Sequence, residues 1–166
     1  MGRAGINLRM NRIFLRLLPC LAILFAAGCS TFDKRFAEAS KAPVKSGQIA
    51  GVYDGKWMSS NRPGGGGKLR CILSRVSVTD YLADFHATWH AFSSEHSVVL
   101  HMKPATHGKS GIREFTGTSE LHTPIGAGTY RCSGTVDMRT MRACYDATYD
   151  RGTLEMARVI SNGASR

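Results

Sequence analysis

The sequence predicts an all-β protein: an eight-stranded antiparallel up-and-down barrel that follows a signal peptide and a flexible tether. Three observations carry this. From residue 49 onward, apolar side chains alternate with polar ones in eight short segments, the period that turns one face of each strand inward. Clusters of Gly, Asp, Asn and Pro punctuate the segments and supply turns. No segment of that region has a helical period. Sequential strands with short connections fit a meander, and closure into a barrel removes the unpaired edges. A sandwich of two sheets is the competing architecture.

Residues 1–28 read as a lipoprotein signal peptide. Arg3, Arg9, Arg12 and Arg16 form a basic start with no acid, and an apolar run from Ile13 to Phe25 follows. That run is shorter than the roughly 20 apolar residues of a membrane-spanning helix. It closes on Leu24-Phe25-Ala26-Ala27-Gly28-Cys29-Ser30. Small residues directly before a cysteine resemble the bacterial lipobox, and an ordinary secretory signal is the alternative. The resemblance implies cleavage before Cys29, acylation of that cysteine and attachment to a membrane. One acyl chain holds only marginally and more than one holds stably. Ser30 follows the cysteine rather than Asp, and in Gram-negative lipoproteins this resemblance implies sorting to the outer membrane, facing the periplasm.

Residues 29–48 read as the lipidated cysteine and a flexible tether. Phe32, Phe36 and Ala39 fall at helical spacing, so a frayed turn is expected before Pro43, Ser46 and Gly47 end it. As a coil the tether would span about 25 Å.

The barrel domain is expected over 49–160, with a disordered tail at 161–166. The first segment, 51–59, places Tyr53, Gly55 and Trp57 on one face. A Gly-rich loop leads to 68–77, with Leu69, Cys71 and Leu73 in phase. The third, 80–89, alternates Tyr81, Ala83, Phe85, Ala87 and Trp89 against Leu82, Asp84, His86 and Thr88. Segments 94–103, 112–119 and 126–136 follow. The seventh, 140–149, carries Met141, Ala143, Tyr145 and Ala147 in phase, and the eighth, 152–159, turns Leu154 and Met156 inward.

Two features resemble the calycins, the group of lipocalins and fatty-acid-binding proteins. Gly55-Lys56-Trp57 is a G-x-W in the first strand, and Arg158 lies in the last. The resemblance implies that Trp57 plugs the closed end of the barrel with Arg158 over its ring, a cation–π contact of about 1 kcal/mol. The stretches Tyr53 to Trp57, Leu69 to Leu73, Phe85 to Trp89 and Tyr149 to Arg158 are similar to a family of small, secreted, uncharacterised bacterial proteins. That likeness implies an envelope location and supplies neither an activity nor catalytic residues.

The chain carries a net charge of +10. The leader accounts for part of the excess, and the remaining Lys and Arg are scattered without a basic face or interleaved aromatics. Nucleic-acid binding is therefore not expected. Of the cysteines beyond the leader, Cys71 is read as inert core. Cys132 and Cys144 flank a turn, and the register that best pairs Tyr130 with Tyr145 puts them on opposite faces. The run Arg62 to Leu69 is no phosphate loop, because Leu69 follows Lys68 where Ser or Thr is needed. Asp84, His86 and His90, with His101, are weighed as metal ligands and set aside as a solvent face. No nucleophile–base order emerges, so neither catalysis nor a cofactor is expected.

The leading reading is a lipid-anchored envelope module that binds a small apolar or amphiphilic ligand. Its cavity would be lined by Tyr53, Tyr81, Phe85, Phe115, Tyr130 and Tyr145. The alternative is a structural or protein-binding lipoprotein with a filled core, since small barrels are often filled by their own side chains. Its contact surface would then be the loops 62–67, 104–111 and 122–127.

Overall fold

In a computed structural model, the described residues form a closed eight-stranded barrel with one short helix on its outer wall. The structure describes residues 31–43, 47–104, 111–123 and 126–160. The leader, Cys29 and the 161–166 tail lie outside the described residues. No described helix is long and apolar enough to cross a membrane.

The strands are β1 (Gly51–Ser59), β2 (Gly66–Arg75), β3 (Asp80–Trp89), β4 (Phe92–Met102), β5 (Arg113–Thr123), β6 (Gly126–Val136), β7 (Thr140–Ala147) and β8 (Asp150–Arg158). Each pairs antiparallel with the next, and β8 returns to β1 through Tyr53↔Arg158 to Ser59↔Gly152. The layout is calycin-like and up-and-down, not a sandwich. Alternation decides which face is inside. Tyr53, Leu69, Cys71, Leu73, Tyr81, Phe85, Phe115, Tyr130, Met141 and Met156 all belong to one buried core. Close approach is built in at Gly55, where a Cβ would run into the carbonyl oxygen of Glu155 on β8.

One seam is short. The β4–β5 ladder holds three pairs, Leu100↔Gly117 to Met102↔Phe115, although each strand has 11 residues. Over Phe92–Val99, β4 has ladder partners in β3 and none in β5.

The helix, α1 (Thr31–Lys41), replaces most of the expected flexible tether. Eleven residues are too few for a stable helix in isolation. Its apolar stripe decides the matter. Phe32 is fully buried against Val52 and Ile72, with Phe36, Ala39 and Val159 packed around them. Val52, Ile72 and His86 point away from the barrel interior by parity, so α1 covers an outer patch of β1, β2 and β3. Asp33 in the first turn and Lys41 in the last suit the helix dipole. Flanking charges pin the helix: Arg70 Nη2 reaches Asp33 Oδ1 at 2.6 Å, and Arg35 Nη1 reaches Asp84 Oδ2 at 2.7 Å. Both guanidinium groups also lie over the Phe32 ring, at 5.3 and 5.6 Å.

Candidate functional site

The two ends of the barrel differ. One is plugged. Tyr53 donates its hydroxyl to the Ile49 carbonyl at 2.6 Å, with the Asp137 carbonyl at 3.1 Å. Burial pushes that phenol well above its ordinary pKa, so it stays a donor. Arg158, opposite Tyr53 in the ladder, donates to the Gln48 carbonyl at 2.5 Å and to the Ala50 carbonyl. Tyr81, Met102, Phe115, Val136, Met141 and Met156 fill the space around them.

The expected closing pair of Trp57 and Arg158 is therefore not made. Arg158 sits opposite Tyr53 while Trp57 sits opposite Leu154. Four residues along a strand separate positions by about 13 Å, so the indole belongs to the other end. The partner of Arg158 at the closed end is Tyr53 and the backbone of 48–50.

The other end holds a cavity of about 170 Å³. Trp57, Phe85, Trp89, Tyr130 and Tyr145 form its aromatic wall, and Leu69, Ala87, Leu121, Ala147 and Leu154 complete it. The rings support one another. Trp57 meets Trp89 edge-on at 6.3 Å and Tyr145 edge-on at 6.5 Å, and Tyr130 stacks on Tyr145 at 6.1 Å. Such geometry follows from the ring quadrupoles. Ala87 and Ala147 are small residues of the wall, where the closed end has Leu73, Tyr81, Phe115, Val136 and Met141. Gly67 and Gly152 instead let the strands close in, since a Cβ there would run into the Thr88 and Met58 carbonyl oxygens.

The polar groups of this half are few. The His96 ring lines the cavity, lying on Phe85 at 5.3 Å and against the edge of Tyr130 at 4.8 Å. Burial lowers its pKa to about 4, so it is a neutral imidazole at pH 7. Its Nε2 is buried without a hydrogen-bond partner among the described residues, as is Ser119 Oγ on the neighbouring strand. Each such atom costs about 1–3 kcal/mol, a cost of the kind that needs explaining in a native fold. At the mouth, Asp150 accepts from Ser59 Oγ at 2.6 Å and from Tyr145 Oη at 2.8 Å. Burial, and then the Asp150 carboxylate, raise the Tyr145 phenol.

Of the six residues expected to line a cavity, Phe85, Tyr130 and Tyr145 do so. Tyr53, Tyr81 and Phe115 face inward but belong to the filled half. Trp57, Trp89 and His96 were not expected in the wall. Their signal was their phase: each shares parity with core residues of its strand, nearer the open-end turn.

The metal candidates are dispersed. His86 stacks under Phe32 at 5.0 Å and accepts from Arg70 at Nδ1, 3.2 Å away. Asp84 pairs with Arg35, His101 lies 2.8 Å from Asp80, and His90 sits at an exposed turn with φ 51°. Among the described residues no group of three metal-ligating side chains gathers. Cys71 and Cys132 are buried thiols and Cys144 is exposed, with Cys132 opposite Tyr145 and Cys144 opposite Ser133. Burial raises the thiol pKa of Cys132 to about 11, so it remains protonated.

Comparison with protein-family models, curated proteins and solved structures finds no match to this chain.

Proposed function

We propose that this chain is a binding module for a small apolar or amphiphilic ligand, held at the cell envelope by an acylated Cys29. One observation carries the binding half: the barrel is filled at one end and hollow at the other, and the hollow is walled by aromatic rings. A concave, apolar site with a few placed polar groups is the usual form of a small-molecule pocket. Its volume is comparable with the ~150 Å³ apolar cavity that accepts benzene in an engineered protein, so the ligand is small. The barrel would serve as carrier or receptor, with no bond made or broken. The leader and Cys29 support the envelope half, with the periplasmic face of the outer membrane as the destination.

Intact mass of the protein extracted with detergent from its native membrane tests both halves. The reading expects cleavage before Cys29 with added acyl chains, and native mass spectrometry should retain a small molecule on the folded barrel. An unmodified Cys29 would remove the anchor. A folded barrel that neither retains a ligand nor takes up added aromatic probes would favour a filled-core structural protein.

A further inference from the structure

We propose that the pocket selects a one-ring aromatic anion, whose charge is met at the mouth by Arg62. This rests on the binding-module reading and narrows its ligand class.

Among the described residues, two charged side chains line the cavity, Arg62 and Asp150. They are treated differently by their surroundings. Both carboxylate oxygens of Asp150 are engaged, one by the Ser59 hydroxyl and one by the Tyr145 hydroxyl. Arg35, Arg70 and Arg142 each meet a carboxylate, and Arg151 meets the Asn61 amide oxygen. The Arg62 guanidinium has no hydrogen bond or ion pair among the described residues.

Its position is nonetheless built. The Arg62 backbone N–H donates to Ser59 Oγ at 3.1 Å, and the Gly65 N–H donates to the Arg62 carbonyl at 2.7 Å. Ser59 Oγ is thus shared: it accepts from the Arg62 loop and donates to Asp150. One hydroxyl ties the cationic loop to the mouth and takes up one oxygen of Asp150, which keeps its negative charge. The result is a cation at the rim of an apolar, ring-walled cavity whose interior imidazole is uncharged at neutral pH. A guanidinium prefers a planar oxyanion, which it can hold by two parallel hydrogen bonds. The cavity of about 170 Å³ holds one ring. A ligand with its ring inside and a carboxylate at the rim satisfies both.

The chain has two tryptophans, Trp57 and Trp89, and both line this cavity. Tryptophan fluorescence of the full-length protein therefore reads occupancy directly. The probes are an isosteric series: phenylacetate, phenylethanol and phenethylamine. Phenylacetate is expected to bind about fivefold tighter than phenethylamine, the scale of a partly solvated charge pair. Arg62→Gln should lower the ratio of phenylacetate to phenylethanol affinity about fivefold, and added salt should lower it in the native chain. Arg62 is exposed on a loop, so this substitution leaves the barrel core untouched. Equal binding of acid and amine, or an unchanged ratio in Arg62→Gln, would overturn the anion assignment while phenylethanol binding kept the pocket. Failure of all three probes on the native chain would overturn the binding-module reading beneath it.

Discussion

His96 links local burial to a property of the whole chain. Its pKa is lowered to about 4 by burial, whereas an unfolded histidine titrates near 6.5. Below about pH 6.5 the unfolded chain takes up a proton that the folded chain refuses, so stability falls as pH drops toward 4. The loss from this residue is at most about 3 kcal/mol. His86, lowered by burial and by Arg70, acts in the same direction. Denaturant melts between pH 7 and 4 should show this decline, and His96→Phe should flatten it. A decline of equal size in the variant would remove His96 as its source. Gly55 makes a second residue-scale prediction. Ala there forces a Cβ into the Glu155 carbonyl, so Gly55→Ala should destabilise by about 1–3 kcal/mol, read from a urea midpoint. This is also where the G-x-W likeness stops being informative. Period-two alternation says that Trp57 faces inward, but not how deep along the barrel it lies. Depth is set by pairing partners, and Leu154 rather than Arg158 stands opposite.

At the scale of elements, the strands were legible because turn residues and alternation agree; β3 and β6 fall where the pattern puts them. Helix α1 was not. Its Phe32, Phe36 and Ala39 stripe is visible in the sequence, but short helices are stabilised by tertiary packing, and the packing partner is an outer patch. Val52, Ile72 and His86 stand out of phase with the core, and alternation alone does not tell an outward residue in water from one under a helix. Phe32→Ala should cost about 3–5 kcal/mol, as for other buried phenylalanines. It should also speed hydrogen exchange across Thr31–Lys41 more than across β5–β7. If the α1 amides exchange freely in the native protein, the helix is not docked and the tether reading returns. The short β4–β5 ladder carries its own expectation. Amides of Phe92–Val99 that point toward β5 should exchange faster than those bonded to β3, because the ladder stops at Leu100↔Gly117.

For the whole molecule, the central fact is an asymmetry of filling. Large inward side chains crowd one end, and the other is a ring of aromatics interrupted by the small Ala87 and Ala147. The pattern was legible strand by strand, as Ala87 beside Phe85 and Ala147 beside Tyr145, yet its sum was not. A cavity appears only when eight strands bring their thin positions to the same level. For the same reason three of the six expected lining aromatics lie in the plug. The most direct test follows the two indole N–H resonances of Trp57 and Trp89 while phenylethanol is added, alongside the backbone amides of both ends. The account predicts that both indoles shift saturably, with amides near Tyr130 and Tyr145 following and those around Tyr53 and Arg158 still. Indoles that stay fixed, or shifts that spread evenly over both ends without saturating, would contradict a barrel built to hold a ligand at its open end.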